Sequence, residues 1–225
     1  MGRLSALAYA VFLGLGFANP AAAQGRVVID ETFSNGVDAW ERVRLDRRPT
    51  AYAVTSLAGE QVLVATSDNA AAAVLRRVET DTPARAVLEW RWRIAESLSD
   101  NHDELTRHGD DYAARVFVIF GDEPFKPGTR ALCYVWAGQQ PIGAHYENPV
   151  IEDVATFVVR SGNRRAGRWV REQRDVVTDY QTAFGEPPPP VTGVAIMVDT
   201  DDTGSSSIAW FDDLRLEVQP AREAP

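Results

Sequence analysis

Eleven short runs rich in β-branched and aromatic residues, each bounded by turn-forming Gly, Pro, Asn or Asp, restrict most tightly how this chain can fold. They lie at 27–32, 52–55, 61–66, 73–78, 86–94, 112–120, 131–137, 155–160, 169–177, 191–199 and 208–218. None carries a sustained helical period, and a parallel sheet would need crossover helices between its strands. The pattern predicts an all-β chain folded as a two-sheet antiparallel jelly-roll β-sandwich. Residues 187–190 are four successive prolines, read as a stiff connector before the run at 191.

Residues 1–23 are read apart from the fold. Arg3, an uncharged apolar stretch at 4–17 and Ala21-Ala22-Ala23 before Gln24 have the parts of a cleaved signal peptide. A periplasmic or secreted protein is expected, with one sandwich domain at 24–220, a short tail at 221–225 and no transmembrane segment after the leader is removed. About 200 residues suffice for one sizeable β core. Without Arg3 the chain holds 22 basic and 32 acidic residues, and 22 − 32 = −10. That charge opposes binding to nucleic acid or anionic lipid. Cys133 is the only cysteine, which excludes an intramolecular disulfide. It reads as a small buried hydrophobe, since no basic partner stands near it in the sequence.

Alternation within the runs locates candidate chemistry. In Leu88-Glu89-Trp90-Arg91-Trp92-Arg93-Ile94, period two puts the apolar residues on one face and Glu89, Arg91 and Arg93 on the other. Arg115 projects from the run at 112–120, and Asp175 shares a face with Arg171 and Gln173 in the run at 169–177. Such arginines and acids can form cross-strand ion pairs on a solvated sheet, or forks that grip the carboxylates and hydroxyls of a saccharide. Aromatic faces would supply the stacking half of a sugar site. Trp90 and Trp92 read as core, while Tyr134 and Trp136 are open to either role. The candidate ligand-binding set is Glu89, Arg91, Arg93, Asp111, Arg115, Tyr134, Trp136, His145 and Asp175, which must converge on one concave face to act together. His145 and Tyr146 fall in an expected loop, as do His102 and His108.

Two acidic segments could concern a metal. Asp199-Thr200-Asp201-Asp202-Thr203-Gly204 begins like an EF-hand loop, but Trp210 stands where its closing Glu belongs, so these acids read as hairpin-turn chemistry. Asp30 and Glu31 on the first strand with Asp212 and Asp213 on the last form the preferred set, hard oxygens suited to a structural Ca²⁺. Adjacent acids can equally guard a strand edge against aggregation.

ETFSNGVDAW near the start and AWFDDLRLEV near the end resemble the opening and closing strands of calcium-containing carbohydrate-binding β-sandwiches. LEWRWRI, GDDYAARVFVIFG, LCYVWAG, FVVRSG, RWVREQRDVVTDYQTAFGEPP and VAIMVDTDDTG together resemble an exported bacterial family known as a domain of unknown function, of the DUF3047 type. These resemblances imply a galactose-binding-like or concanavalin-like sandwich and an exported location, but no activity. The expected function is noncatalytic binding of a glycan or another polar cell-envelope ligand. A jelly-roll polysaccharide hydrolase or lyase, and a structural envelope protein without a ligand site, are the alternatives.

Overall fold

The computed structural model describes residues 25–98, 102–121 and 128–221. The expected signal peptide and all but the first residue of the expected tail lie outside the described residues. Thirteen strands are described: β1 (Arg26–Glu31), β2 (Glu41–Arg44), β3 (Ala51–Leu57), β4 (Glu60–Asp68), β5 (Ala71–Arg77), β6 (Pro83–Ile94), β7 (Tyr112–Phe120), β8 (Arg130–Ala137), β9 (His145–Glu147), β10 (Val154–Ser161), β11 (Val170–Asp175), β12 (Gly193–Asp199) and β13 (Ser206–Pro220). A front sheet runs β11-β6-β13-β4-β3, with β1 also paired to β13, and a back sheet runs β2-β5-β12-β7-β8-β10-β9.

The longest strand organises the front sheet. β13 pairs β6 along one side, while on its other side Ser206–Phe211 pair β4 and Leu214–Val218 pair β1. The exchange of partner falls on a bulge at Asp212-Asp213, where Asp213 takes a φ of 49°, a left-handed conformation that Asp tolerates better than bulkier residues.

The core confirms the strict alternation of β6. Leu88, Trp90, Trp92 and Ile94 point between the sheets and are fully buried. Trp90 stacks on Tyr134 of the back sheet with centroids 5.5 Å apart, and Trp92 meets Trp136 at 5.8 Å, both within the range of favourable ring pairs. The polar tips of three of these rings are satisfied. Trp92 Nε1 donates to Glu172, Trp136 Nε1 donates to the Gly162 carbonyl, and the Tyr134 hydroxyl donates to Asp179.

Three features depart from expectation. β8 and β10 run parallel, joined by a connection that carries β9 to the sheet edge, so the back sheet is mixed. An α-helix, α1 (Val176–Phe184), replaces the end of the strand expected at 169–177. Asp175 caps it by accepting from Thr178 N at 3.1 Å, and Gly185, in the left-handed region, closes it. Burial of Val176 and Tyr180 at the end of the sandwich then outweighs the strand preference of a Val-Val-Thr start. Finally, the short strands β2 and β9 are too brief to show a periodic pattern.

Candidate functional site

The nine residues expected to share one concave face lie in separate places. Tyr134 and Trp136 are wholly interior, so neither presents a ring for stacking. Asp175 is the helix cap. His145 sits on edge strand β9 with its ring stacked on Phe157 at 5.5 Å. Asp111 and Arg115 belong to the back sheet, whereas Glu89, Arg91 and Arg93 project from the outer face of the front sheet. The single groove is therefore corrected. Strands of two stacked sheets turn their outward residues in opposite directions, and period two alone does not say which sheet a strand joins.

On the back sheet, the outward side is itself a packed layer. Phe117, Ile119, Cys133, Val135 and Met197 are buried there, with Tyr146 and Ile151 of the 138–153 connection packed over them. Burial pushes the Cys133 thiol up, in keeping with its reading as a small hydrophobe. Arg115 threads this layer. Its Nε donates to Asp199 Oδ1 at 2.8 Å, a second nitrogen reaches Asp199 Oδ2, and the guanidinium also pairs with Asp110 and lies 4.4 Å over the Tyr112 ring. Burial disfavours its charge, but Asp110 and Asp199 outweigh that and hold it charged. Burial raises both carboxyls against the pull of Arg115. The Tyr112 and Tyr146 hydroxyls meet at 2.8 Å. Every polar group of this arrangement is occupied from within, which is the signature of a structural plug.

The four acids expected to hold a metal, Asp30, Glu31, Asp212 and Asp213, do not converge. Glu31 turns inward, accepting from Phe33 N at 2.7 Å and Trp40 Nε1 at 3.0 Å, while Asp30 faces outward opposite Arg215. Adjacent strand residues point to opposite faces, so the two cannot close on Asp212 and Asp213 together. Those two carboxylates hold arginines instead. Among the described residues, the one trio of metal-ligating side chains with donors within 4.8 Å is Asp111, Asp199 and Asp201. It uses the hairpin acids read as turn chemistry. Its fit to Ca²⁺ is poor: Asp199 is committed to Arg115, and Asp111 accepts from Thr203 N at 2.7 Å and Thr203 Oγ1 at 2.6 Å.

The outer face of the front sheet is different. Arg91 binds Asp212 and Glu60, its charge disfavoured by burial but upheld by those two carboxylates. Arg171 binds Asp213 at 2.6 Å, and Gln173 donates to Glu89 at 2.6 Å. Two half-buried indoles flank β6 on this face. Trp169, just before β11, lies under the Arg91 guanidinium at 4.7 Å, and Trp210 of β13 lies under that of Arg93 at 5.0 Å. Arg93 itself has no ion pair among the described residues, and its Nε is buried without a hydrogen-bond partner. Toward the end of the sheet, Ile208 is exposed in line with Trp210. Beyond it, at the end of the sandwich, a cleft of about 650 Å³ is lined by Glu96, Ser97 and Ser206 and, from connections that follow back-sheet strands, by Gly138, Gly162 and Asn163, within the size range of ligand sites. The two tryptophans were not singled out from the sequence. Trp169 sits at the edge of an expected strand and Trp210 near the acidic hairpin, and only the pairing Arg93↔Trp210 brings the latter beside Arg93.

These features define a two-sheet, jelly-roll-type β-sandwich with one sealed outer face, one bearing arginines and tryptophans, and a polar cleft at the end of the sandwich. The chain belongs to the family described as protein of unknown function (DUF3047), whose model matches residues 38–215. Comparison with curated proteins found no match. Among solved structures, the chain is similar to a family 11 carbohydrate-binding module from Clostridium thermocellum in complex with a mixed-linked tetrasaccharide. The identity is 8% and the TM-score 0.44, over 90% of this chain and 100% of that one. A cellulose induced protein, Cip1, gives 15% and 0.49, over 84% and 96%. The K1 cleaved adhesin domain of Lys-gingipain from Porphyromonas gingivalis gives 12% and 0.44, over 87% and 99%.

Proposed function

We propose that this protein is an exported, noncatalytic binding protein that holds a polysaccharide along the outer face of its front sheet, from the cleft at Ser97 and Ser206 to the indoles of Trp169 and Trp210. One observation carries the reading: two partly exposed tryptophans on a single sheet face, with guanidiniums laid across them. Indole faces stack on the apolar side of a sugar ring, and guanidinium donors fork to its oxygens. Trp169 and Trp210 flank β6 on either side, so they stand about two strand spacings apart, roughly 10 Å. That span suits more than one sugar ring and favours a polymer. Binding is supported over hydrolysis because Asp212 and Asp213, the paired carboxylates on this face, are held by Arg91 and Arg171. An acid and base pair needs oxygens that a substrate can reach, and the one Asp212 oxygen without a hydrogen-bond partner is buried.

The test is titration of purified protein against a panel of soluble polysaccharides by calorimetry. Trp169→Ala and Trp210→Ala should each weaken binding by about ten- to thirtyfold, the effect of losing an aromatic anchor worth about 1.4–2 kcal/mol. Their melting temperatures should stay near that of the parent, since neither ring belongs to the core. Unchanged affinity in both variants, or failure to bind any polysaccharide, defeats the proposal.

A further inference from the structure

The front face carries a second pattern, one of charge. In a chain with nine more acidic than basic residues overall, the connection between β10 and β11 reads Asn163-Arg164-Arg165-Ala166-Gly167-Arg168-Trp169. Its backbone is pinned. Asn163 Oδ1 accepts from Ser97 N at 2.7 Å, Gly167 N donates to the Ile94 carbonyl at 2.8 Å, and Arg168 N donates to the Arg165 carbonyl at 3.3 Å. The bond to Ile94 sets the loop directly beyond Arg93 on β6, and Trp169 continues it onto the binding face. Arg164, Arg165 and Arg168 are exposed, and like Arg93 they have no carboxylate partner among the described residues. Elsewhere in the two sheets Arg77 is paired with Glu41, Arg91 with Asp212, Arg115 with Asp199, Arg160 with Glu172 and Arg174 with Asp179, while Arg26, Arg42, Arg44 and Arg76 donate to backbone carbonyls. Four guanidiniums without a carboxylate partner among the described residues thus come from the end of β6 and the loop pinned to it. Glu96 lines the adjoining cleft.

Unpaired cations held together cost free energy by mutual repulsion, and a fold with acidic groups to spare could have neutralised them. Here they border the two indoles and the hydroxyl-lined cleft.

Resting on the reading that this face binds polysaccharide, we infer that its ligand is an anionic polysaccharide, whose ring-borne carboxylate or sulfate groups are gripped by Arg93, Arg164, Arg165 and Arg168 while its sugar rings lie on Trp169 and Trp210. Guanidinium forks match either oxyanion. The net negative charge of the rest of the molecule repels a long polyanion of either kind beyond the patch, so contact is confined to a short charged run, and nucleic acid is an outcome the test separates. Sugar rings spaced along the indoles and cleft suit a short run of residues better.

The experiment compares four probes with the intact protein: polygalacturonate, the same polymer with its carboxylates methyl-esterified, a sulfated dextran, and single-stranded DNA. Tight binding to polygalacturonate or to the sulfated polymer is expected, identifying the anionic group, with at least tenfold weaker binding to the esterified polymer. Raising NaCl from about 0.05 to about 0.5 M should weaken that binding severalfold, as screening shortens the reach of the arginines. The triple variant Arg164→Gln, Arg165→Gln, Arg168→Gln should lose at least tenfold for the charged polymer, with its melting temperature unchanged because all three are exposed. Trp210→Ala should weaken charged and esterified polymers alike. Equal binding of charged and esterified polymers, unaffected by the triple variant, overturns the anionic inference and leaves the polysaccharide reading standing. DNA binding as tight as that of any polysaccharide overturns the inference in favour of nucleic acid. Absence of binding to every polysaccharide defeats both readings.

Discussion

Replacing Arg115 by methionine isolates the buried charge network of the back sheet. Arg115 is 1% exposed, Asp199 4% and Asp110 5%, so the variant leaves two carboxylates inside the protein without their cation. Methionine keeps most of the side-chain length and removes the charge. Breaking a buried pair by deleting one partner costs about 3–5 kcal/mol. For a domain of this size each kcal/mol moves the melting temperature by about 2–4 °C, so Arg115→Met should melt about 6–20 °C lower near pH 8. The pH dependence gives an independent check. Burial pushes the Asp199 carboxyl up and Arg115 pulls it down, so losing Arg115 raises it. A carboxyl whose folded pKa exceeds its unfolded value favours folding most when protonated, and that contribution is lost as pH rises through the folded pKa. The gap between variant and parent must therefore narrow as pH falls from about 8 to about 5.5. The double variant Arg115→Met, Asp199→Asn should lose less than the sum of the single changes, since the groups share one network. Circular dichroism melts of the four proteins at both pH values read all of this. A single variant within about 2 °C of the parent near pH 8, or a deficit independent of pH, would refute the account of Arg115 as the counter-ion of a buried acidic pair.

Two further outcomes follow from the acidic end of the sandwich. Asp202 is pushed up to about 6 by burial and then by Asp111 and Asp201, so its ionised form opposes folding at neutral pH. Asp202→Asn should raise the melting temperature near pH 8, with the gain fading as pH falls through about 6. The side chain is largely exposed, so after allowance for screening the gain is under about 1 kcal/mol, a few degrees at most. Chelation by EDTA is expected to leave both melting temperature and polysaccharide affinity unchanged, because Asp212 and Asp213 hold arginines and Asp199 holds Arg115. A stabilisation by added Ca²⁺ that disappears in Asp201→Asn would contradict that reading and place an ion among the hairpin acids.

The strand pattern and the inward face of β6 were legible because one side of that strand is core and the other is polar, the case in which period two is unambiguous. β7 and β8 were opaque for the opposite reason. All nine residues of β7 are buried, as are seven of the eight in β8, because loops seal the outer side of the back sheet as the front sheet seals the inner. When both faces are buried, composition no longer distinguishes them. Tyr134 and Trp136 were therefore as plausible on a surface as in a core. The helix was hidden by its β-branched start, although its cap, Asp175, and its terminator, Gly185, are both plain in the sequence.

The binding face was illegible for a reason that follows from the topology. Its residues come from three strands and one loop, and no two of Arg93, Trp169 and Trp210 are close in sequence. Each alone has an ordinary explanation: a solvated arginine, a tryptophan at a strand start, a tryptophan beside a hairpin. Their meaning depends on β6 lying between β11 and β13, and on the register that sets Arg93 opposite Trp210. Charge shows the same dependence. Arg91 and Arg93 are two residues apart on one face of one strand, and by sequence they are interchangeable. The bulge at Asp212-Asp213 brings two carboxylates to Arg91 and none to Arg93. One arginine is thereby fixed as part of the sheet, and the other is left with its charge available to a ligand.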